Sequence, residues 1–141
     1  MSGAALPDAL ARKTIIDLVE EQAARRPNAL ALTAVSVAGG EQRLSYGQLS
    51  WRASKLAAGL QGLGISRGDH VGLMLNNDVG VEACVTMLAL HRIGAVVVPV
   101  NTRFAADEIV YVVNKARCST IVAMREFCSR ASGREYKASS A

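Results

Sequence analysis

Three short aliphatic runs recur along the chain: His70–Leu75 (His-Val-Gly-Leu-Met-Leu), Ala95–Val98 and Ser119–Ala123. Strands that are apolar at successive positions are buried on both faces, and parallel neighbours must be joined by a crossover of a dozen or more residues. The segments between the runs have the length and pattern for that. Val79–Ile93 is nearly all apolar, so it is predicted to be a buried helix, entered through an Asn76-Asn77-Asp78 loop and N-cap and ended by Gly94. Ala106–Lys115 carries Asp107 and Glu108 in its first turn and sets Ile109, Val112, Val113 and Ala116 on one helical face. Strand, helix, strand, helix, strand at this spacing predicts a βαβαβ unit with a parallel sheet and right-handed crossovers. Pro99 closes the second strand, and Asn101–Phe104 is a loop.

The upstream residues predict an α/β layer of a different kind. Thr14 to about Arg25 reads as a helix with Thr14 and Asp17 as a capping box, an apolar face of Ile15, Leu18, Val19 and Gln22/Ala23, and a stop at Pro27. Ala29–Val37 alternates, with Leu30, Leu32, Ala34 and Ser36 on one side. Gly39-Gly40 marks a turn and Arg43–Tyr46 a second short strand, which together predict a β-hairpin. Leu49, Ala53, Leu56, Leu60 and Leu63 are spaced 4, 3, 4 and 3, an amphipathic helix capped by Ser50 or starting slightly earlier, with Gly64 as its left-handed C-cap. Arg67-Gly68-Asp69 is read as a turn. Tyr46 and Trp51 are expected to anchor the hairpin against this helix.

Composition narrows the function classes. With 141 residues, 50% of them hydrophobic, the chain can bury a core as one domain or part of one, and with 4% aromatics that core must be aliphatic. The net charge is only +4, and the body of the chain shows neither a basic cluster nor stacking aromatics, so no nucleic acid is expected as a partner. Cys84, Cys118 and Cys128 have neither CxxC nor zinc-finger spacing, and His70 and His91 lack an HExxH context, so neither a disulfide scaffold nor a metal site is predicted. No transmembrane segment is expected, because the most apolar stretch, Ala83–Val100, would carry Arg92 at mid-membrane depth. The N-terminus lacks a secretory pattern, and a cytoplasmic location is expected.

Self-contained catalytic chemistry is not legible. The first strand-to-helix turn of the βαβ unit, Asn76-Asn77-Asp78-Val79-Gly80, lacks the glycines of a dinucleotide fingerprint and places an acid where phosphate would sit. No GxxxxGK[ST] or GxSxG occurs. Gly59–Gly64 spells GxxGxG but closes a helix instead of opening one. Asp107 and Glu108 are read as compensating the helix dipole, His70 and His91 as structural, and Cys84 as a small hydrophobe. No catalytic residue is assigned.

Several segments, in order, resemble one family. Thr14–Leu18 (Thr-Ile-Ile-Asp-Leu) and Arg25–Leu32 (Arg-Arg-Pro-Asn-Ala-Leu-Ala-Leu) are similar to the start of adenylate-forming, AMP-binding enzymes. Leu44-Ser45-Tyr46-Gly47-Gln48-Leu49 resembles their L-[ST]-Y-x-[EQ]-L, and Leu63–Val71 resembles their L-G-[VI]-x-x-G-D-x-V. Leu88–Asn101 resembles their L-A-x-x-x-x-G-A-x-x-x-P-x-[ND]. The set spans about residues 14–123. Asn101-Thr102-Arg103-Phe104 with Glu108 and Tyr111 is most similar to acyl-CoA synthetases, whereas the Asp and Tyr-Pro of amino-acid-activating domains are missing from the chain.

The resemblance implies an incomplete adenylate-forming N-terminal domain. It implies a ligase that uses ATP and Mg²⁺ to adenylate a carboxylic (fatty) acid and then transfers the acyl group to coenzyme A. It implies one site residue, Arg103, reaching the 3′-phosphate of coenzyme A; the bland alternative is that Arg103 caps its loop or pairs with Asp107 or Glu108. The family's phosphate loop, T-S-G-[ST]-T-G-x-P-K-G, and its C-terminal lysine domain do not occur in these residues. The chain alone is therefore expected to bind no cofactor and to be inactive. Expected boundaries are a flexible N-terminus over 1–13, the family segment over 14–123, and a disordered polar, basic tail over 124–141. In that tail four basic residues against two acidic ones supply +2 of the net charge. The composition break at Met124 suggests a truncated or alternatively ended reading frame. The competing expectation is a stand-alone interaction or regulatory module that docks on a full-length synthetase.

Overall fold

The computed structural model describes residues 12–36, 39–125 and 127. In chain order these form helix α1 (Ile15–Arg25), strands β1 (Leu30–Val35) and β2 (Glu41–Ser45), helix α2 (Tyr46–Gly62), strand β3 (His70–Met74), a 3-10 turn (Asn77–Val79), helix α3 (Gly80–Ile93), strand β4 (Val96–Pro99), helix α4 (Ala106–Lys115) and strand β5 (Thr120–Ala123). β1 and β2 are an antiparallel pair, and β3, β4 and β5 form a parallel sheet in the order β4-β3-β5.

The sheet order decides the architecture. The first strand of the unit is central, so the β3–α3–β4 connection moves to one side and β4–α4–β5 returns across to the other. Crossovers of one hand then put α3 and α4 on opposite faces. The packing agrees with the period-2 alternation of the strands. Val71, Val97 and Val122 pack with Ala89, Leu90 and Ile93 of α3 and with Ala57 and Leu60 of α2. Met74, Val100 and Ile121 pack with Ile109 and Val113 of α4, and Phe104 and Phe127 border that cluster. A third cluster joins α2, α3 and the hairpin through Leu44, Leu49, Ala53, Val81, Val85 and Leu88.

Local signals place most helix ends. The Thr14–Asp17 capping box forms, and two hydrogen bonds from Thr14 hold the Asp17 carboxyl below the usual carboxylate range. α2 starts earlier than Ser50: Ser45 is its cap, its hydroxyl accepting from Gln48 N–H while Gln48 reaches back to Ser45 N–H. Tyr46 is therefore the first helical residue and not a strand end. Its N–H donates to Ala29 and that of Gly47 to Pro27, which ties the helix start to the hairpin. Gly64 and Gly94 are both left-handed, as expected of C-terminal punctuation.

Four packing expectations change. The half-buried stripe of α1 carries Ile16 and Val19, while Ile15 and Leu18 face solvent; Glu20, on the same side as Ile16, pairs with Arg92 of α3. A bulge between Leu30 and Leu32 turns Leu30 outward and brings Ala31 to the core side. Trp51 does not anchor the hairpin: it is 60% exposed, and Lys55 Nζ lies 4.9 Å from its ring centre. Leu63 lies past the helix end and is exposed, and Ala57 takes its place on the buried face.

The ordered chain also continues beyond Ala123. Phe127, expected within a disordered tail, packs against the α4-side cluster, and its N–H donates to Met124. The expectations for residues 1–11 and 128–141, Cys128 included, lie outside the described residues.

Candidate functional site

β3 and β4 lie side by side, Leu73 opposite Pro99, and Val100 N–H donates to Leu73 C=O. The connection after β3 turns towards α3; the connection after β4 turns towards α4. In open α/β sheets, ligands bind outside the carboxyl ends of the strands, and the switch point of the order β4-β3-β5 lies between β3 and β5. Leu75–Asp78, after β3, and Asn101–Ala105, after β4, both lie at the carboxyl end of the sheet. Arg103 therefore stands at that end, on the loop that leaves the edge strand β4.

The Asn101–Ala105 loop is pinned at several points. Asn101 Oδ1 accepts from Arg103 N–H at 3.0 Å, an Asx-turn, and Asn101 C=O accepts from Phe104 N–H at 3.2 Å. Phe104 packs into the α4-side cluster. Glu108 Oε2 accepts from Ala105 N–H at 2.8 Å, supplying the cap that Ala105 cannot provide itself. The sequence signals were an Asn two residues before the arginine and a Glu at the third helical position.

The alternative pairing of Arg103 does not form. Among the described residues the ion pairs are Lys13–Glu21, Arg43–Glu41 and Arg92–Glu20, so Arg103 is paired with neither Asp107 nor Glu108. Its side chain is exposed on the loop. An unpaired, solvated guanidinium with a planar fork of donors fits a phosphate group. Beside it, an open groove of about 400 Å³ runs along α4, lined by Phe104, Asp107, Glu108, Tyr111 and Val112.

The remaining candidates take structural places. His70 Nδ1 is 2.7 Å from Ala116 C=O, linking the start of β3 to the end of α4. Cys84 is half-buried on α3, and burial pushes the Cys118 thiol up. Gly59–Gly64 closes α2. No group of three or more His, Cys, Asp or Glu among the described residues could hold a metal ion, and no described helix is long and apolar enough to cross a membrane.

Comparison with known proteins supplies the context for this edge. The family model "AMP-binding enzyme" matches residues 19–140, past the composition break at Met124. A medium/long-chain-fatty-acid–CoA/3-oxocholest-4-en-26-oate–CoA ligase of Mycobacterium marinum is 31% identical over 116 residues, covering 82% of this chain and 20% of that protein. Tyrocidine synthase 3 of Brevibacillus parabrevis is 34% identical over 113 residues, 80% of this chain and 2% of that protein. This chain thus spans a fifth or less of the length of these relatives. The N-terminal domain of FACL13 from Mycobacterium tuberculosis superposes with a TM-score of 0.75 at 28% identity, over 85% of this chain and 29% of that one. The hairpin, the helices and the parallel sheet correspond to part of the N-terminal domain of adenylate-forming enzymes, and the chain belongs to the AMP-binding enzyme family.

Proposed function

We propose that this chain is the N-terminal segment of an ATP-dependent carboxylic acid–CoA ligase of the fatty acid class, acting in the cytoplasm, and that it is inactive alone. The observation that carries the reading is Asn101-Thr102-Arg103-Phe104, with Glu108 and Tyr111 following, at the carboxyl end of the parallel sheet with Arg103 unpaired. That pattern is the one that resembles acyl-CoA synthetases. In the complete enzyme, ATP, Mg²⁺ and coenzyme A supply the chemistry: formation of the acyl-adenylate and transfer of the acyl group to the thiol. This chain's own contribution is a preformed α/β scaffold and one guanidinium that holds the 3′-phosphate of coenzyme A.

Two measurements test the reading. Genomic DNA and transcript read through the codons for Arg117–Ala141 and onward should resume the family pattern with its phosphate loop. A stop after Ala141 with nothing resembling the family beyond it would instead favour a module that docks on a full-length synthetase. In the complete enzyme, Arg103→Ala should raise KM for coenzyme A about ten-fold or more while leaving carboxylate-dependent ATP–pyrophosphate exchange unchanged, the loss expected for a charge-assisted hydrogen bond. An unchanged KM for coenzyme A removes Arg103 from the site.

A further inference from the structure

The geometry points to Asn101 as a positioning residue for Arg103, one that sets the direction of the guanidinium towards a 3′-phosphorylated nucleotide; this rests on the reading of Arg103 given above. Asn101 is exposed and belongs to no core cluster, so its side chain does not hold the fold together by packing. What it does hold is the Arg103 N–H, at 3.0 Å. Its carbonyl accepts the next donor, Phe104 N–H, at 3.2 Å. The two bonds close the turn on both sides of Thr102 and Arg103.

Downstream, the turn is locked by Phe104 in the α4-side cluster and by Glu108 on Ala105 N–H. Upstream, it is locked by the pairing of Pro99 with Leu73. Asn101 is thus the side chain that joins a rigid strand end to a rigid helix start across the residue that carries the charge. Holding the Arg103 N–H fixes the direction of its Cα–Cβ bond, the part of the side chain's reach that the backbone controls.

The test uses the complete ligase, ¹⁵N-labelled in this segment, with two probes, coenzyme A and dephospho-coenzyme A, which differ in the 3′-phosphate alone. Binding is followed at the Arg103 Nε–H resonance, and hydrogen exchange is followed at the Arg103 backbone amide. The wild type should prefer coenzyme A. Asn101→Ala should speed exchange at Arg103 about five-fold and weaken the preference by a similar factor, the size expected for one lost hydrogen bond. Asn101→Asp keeps an acceptor at the same place and should keep the slow exchange. Unchanged exchange of the Val71 and Leu90 amides shows that the fold is intact. If the wild type prefers coenzyme A and Asn101→Ala retains both that preference and the slow Arg103 exchange, the positioning role is overturned. Equal binding of the two probes to the wild type overturns the phosphate reading of Arg103 and this inference with it. The two failures are told apart because the Arg103 amide still reports on the turn.

Discussion

On one face of the parallel sheet, Val71, Val97 and Val122 meet α3, which is itself backed by α2; on the other, Met74, Val100 and Ile121 meet α4, with Phe104 and Phe127 at its margins. The first face is a helix–helix–sheet sandwich whose central residues, Val71, Ala89 and Leu90, are all fully enclosed. The second is a single helical layer whose outer side, Val110 and Tyr111, lies open. The candidate site rides on the thinner face: the loop that carries Arg103 leads directly into α4. A rigid scaffold on one side and an adaptable, loop-bearing layer on the other is how α/β folds commonly divide stability from binding.

That contrast can be broken by paired truncations. Leu90→Ala, in the enclosed face, should cost about 4 kcal/mol, towards the upper end for a buried leucine, because α2 and the sheet both prevent collapse around the cavity. Ile109→Ala, in the α4 layer, should cost about 2 kcal/mol, since a single helix can settle into the space. Urea denaturation of both variants gives the comparison, and equal losses would show that the faces are packed alike.

A smaller effect sharpens it from the opposite direction. Gly72 sits on the central strand facing the α4 layer, where an added Cβ would lie 3.2 Å from Ile121 Cγ1 and 3.6 Å from Val100 Cγ2. Gly72→Ala should cost about 1 kcal/mol if that layer can shift outward, and closer to 3 kcal/mol if it is as rigid as the α3 face. The same denaturation series reads which.

The smallest effect lies away from both faces. Asp17 is held below the ordinary carboxylate pKa by Thr14, so its contribution is present above the unfolded-state value and is lost as pH falls through the lower folded-state value. Acidification below about pH 4 should therefore loosen the first turn of α1 before the parallel sheet responds. Residue-resolved amide exchange would show this, and simultaneous loss of protection in α1 and β3 would refute it.

Much of this was legible locally. The cap at Thr14 and the left-handed Gly64 and Gly94 are satisfied within three or four residues, so their signals survive in the linear chain; Ser45 and Glu108 are as local, but the linear pattern points to Ser50 as the cap and to Glu108 as dipole compensation. Arg103 is singled out by the family resemblance alone; the Asx-turn that holds its N–H is local, with a partner two positions away. Trp51 and the α1 stripe were not legible. Ile15 and Ile16 are equally apolar, and only the packing of α1 against the cluster of α2, α3 and the hairpin, with Glu20 meeting Arg92 beside it, shows which of them turns inward. The outward turn of Leu30 depends in the same way on a bulge defined by its partner strand.

The sequence by itself determined the alternation of strands and helices and several of their ends, because hydrophobic period and capping are short-range properties of the chain, and its ordered motifs carried the resemblance to the family. Only the tertiary structure decided that β3 is central, that α3 and α4 take opposite faces and that Arg103 therefore follows an edge strand. Strand order is set by pairing between segments some 25 to 50 residues apart, such as His70 with Val96 and Val71 with Thr120, and no local pattern records which of those pairings wins.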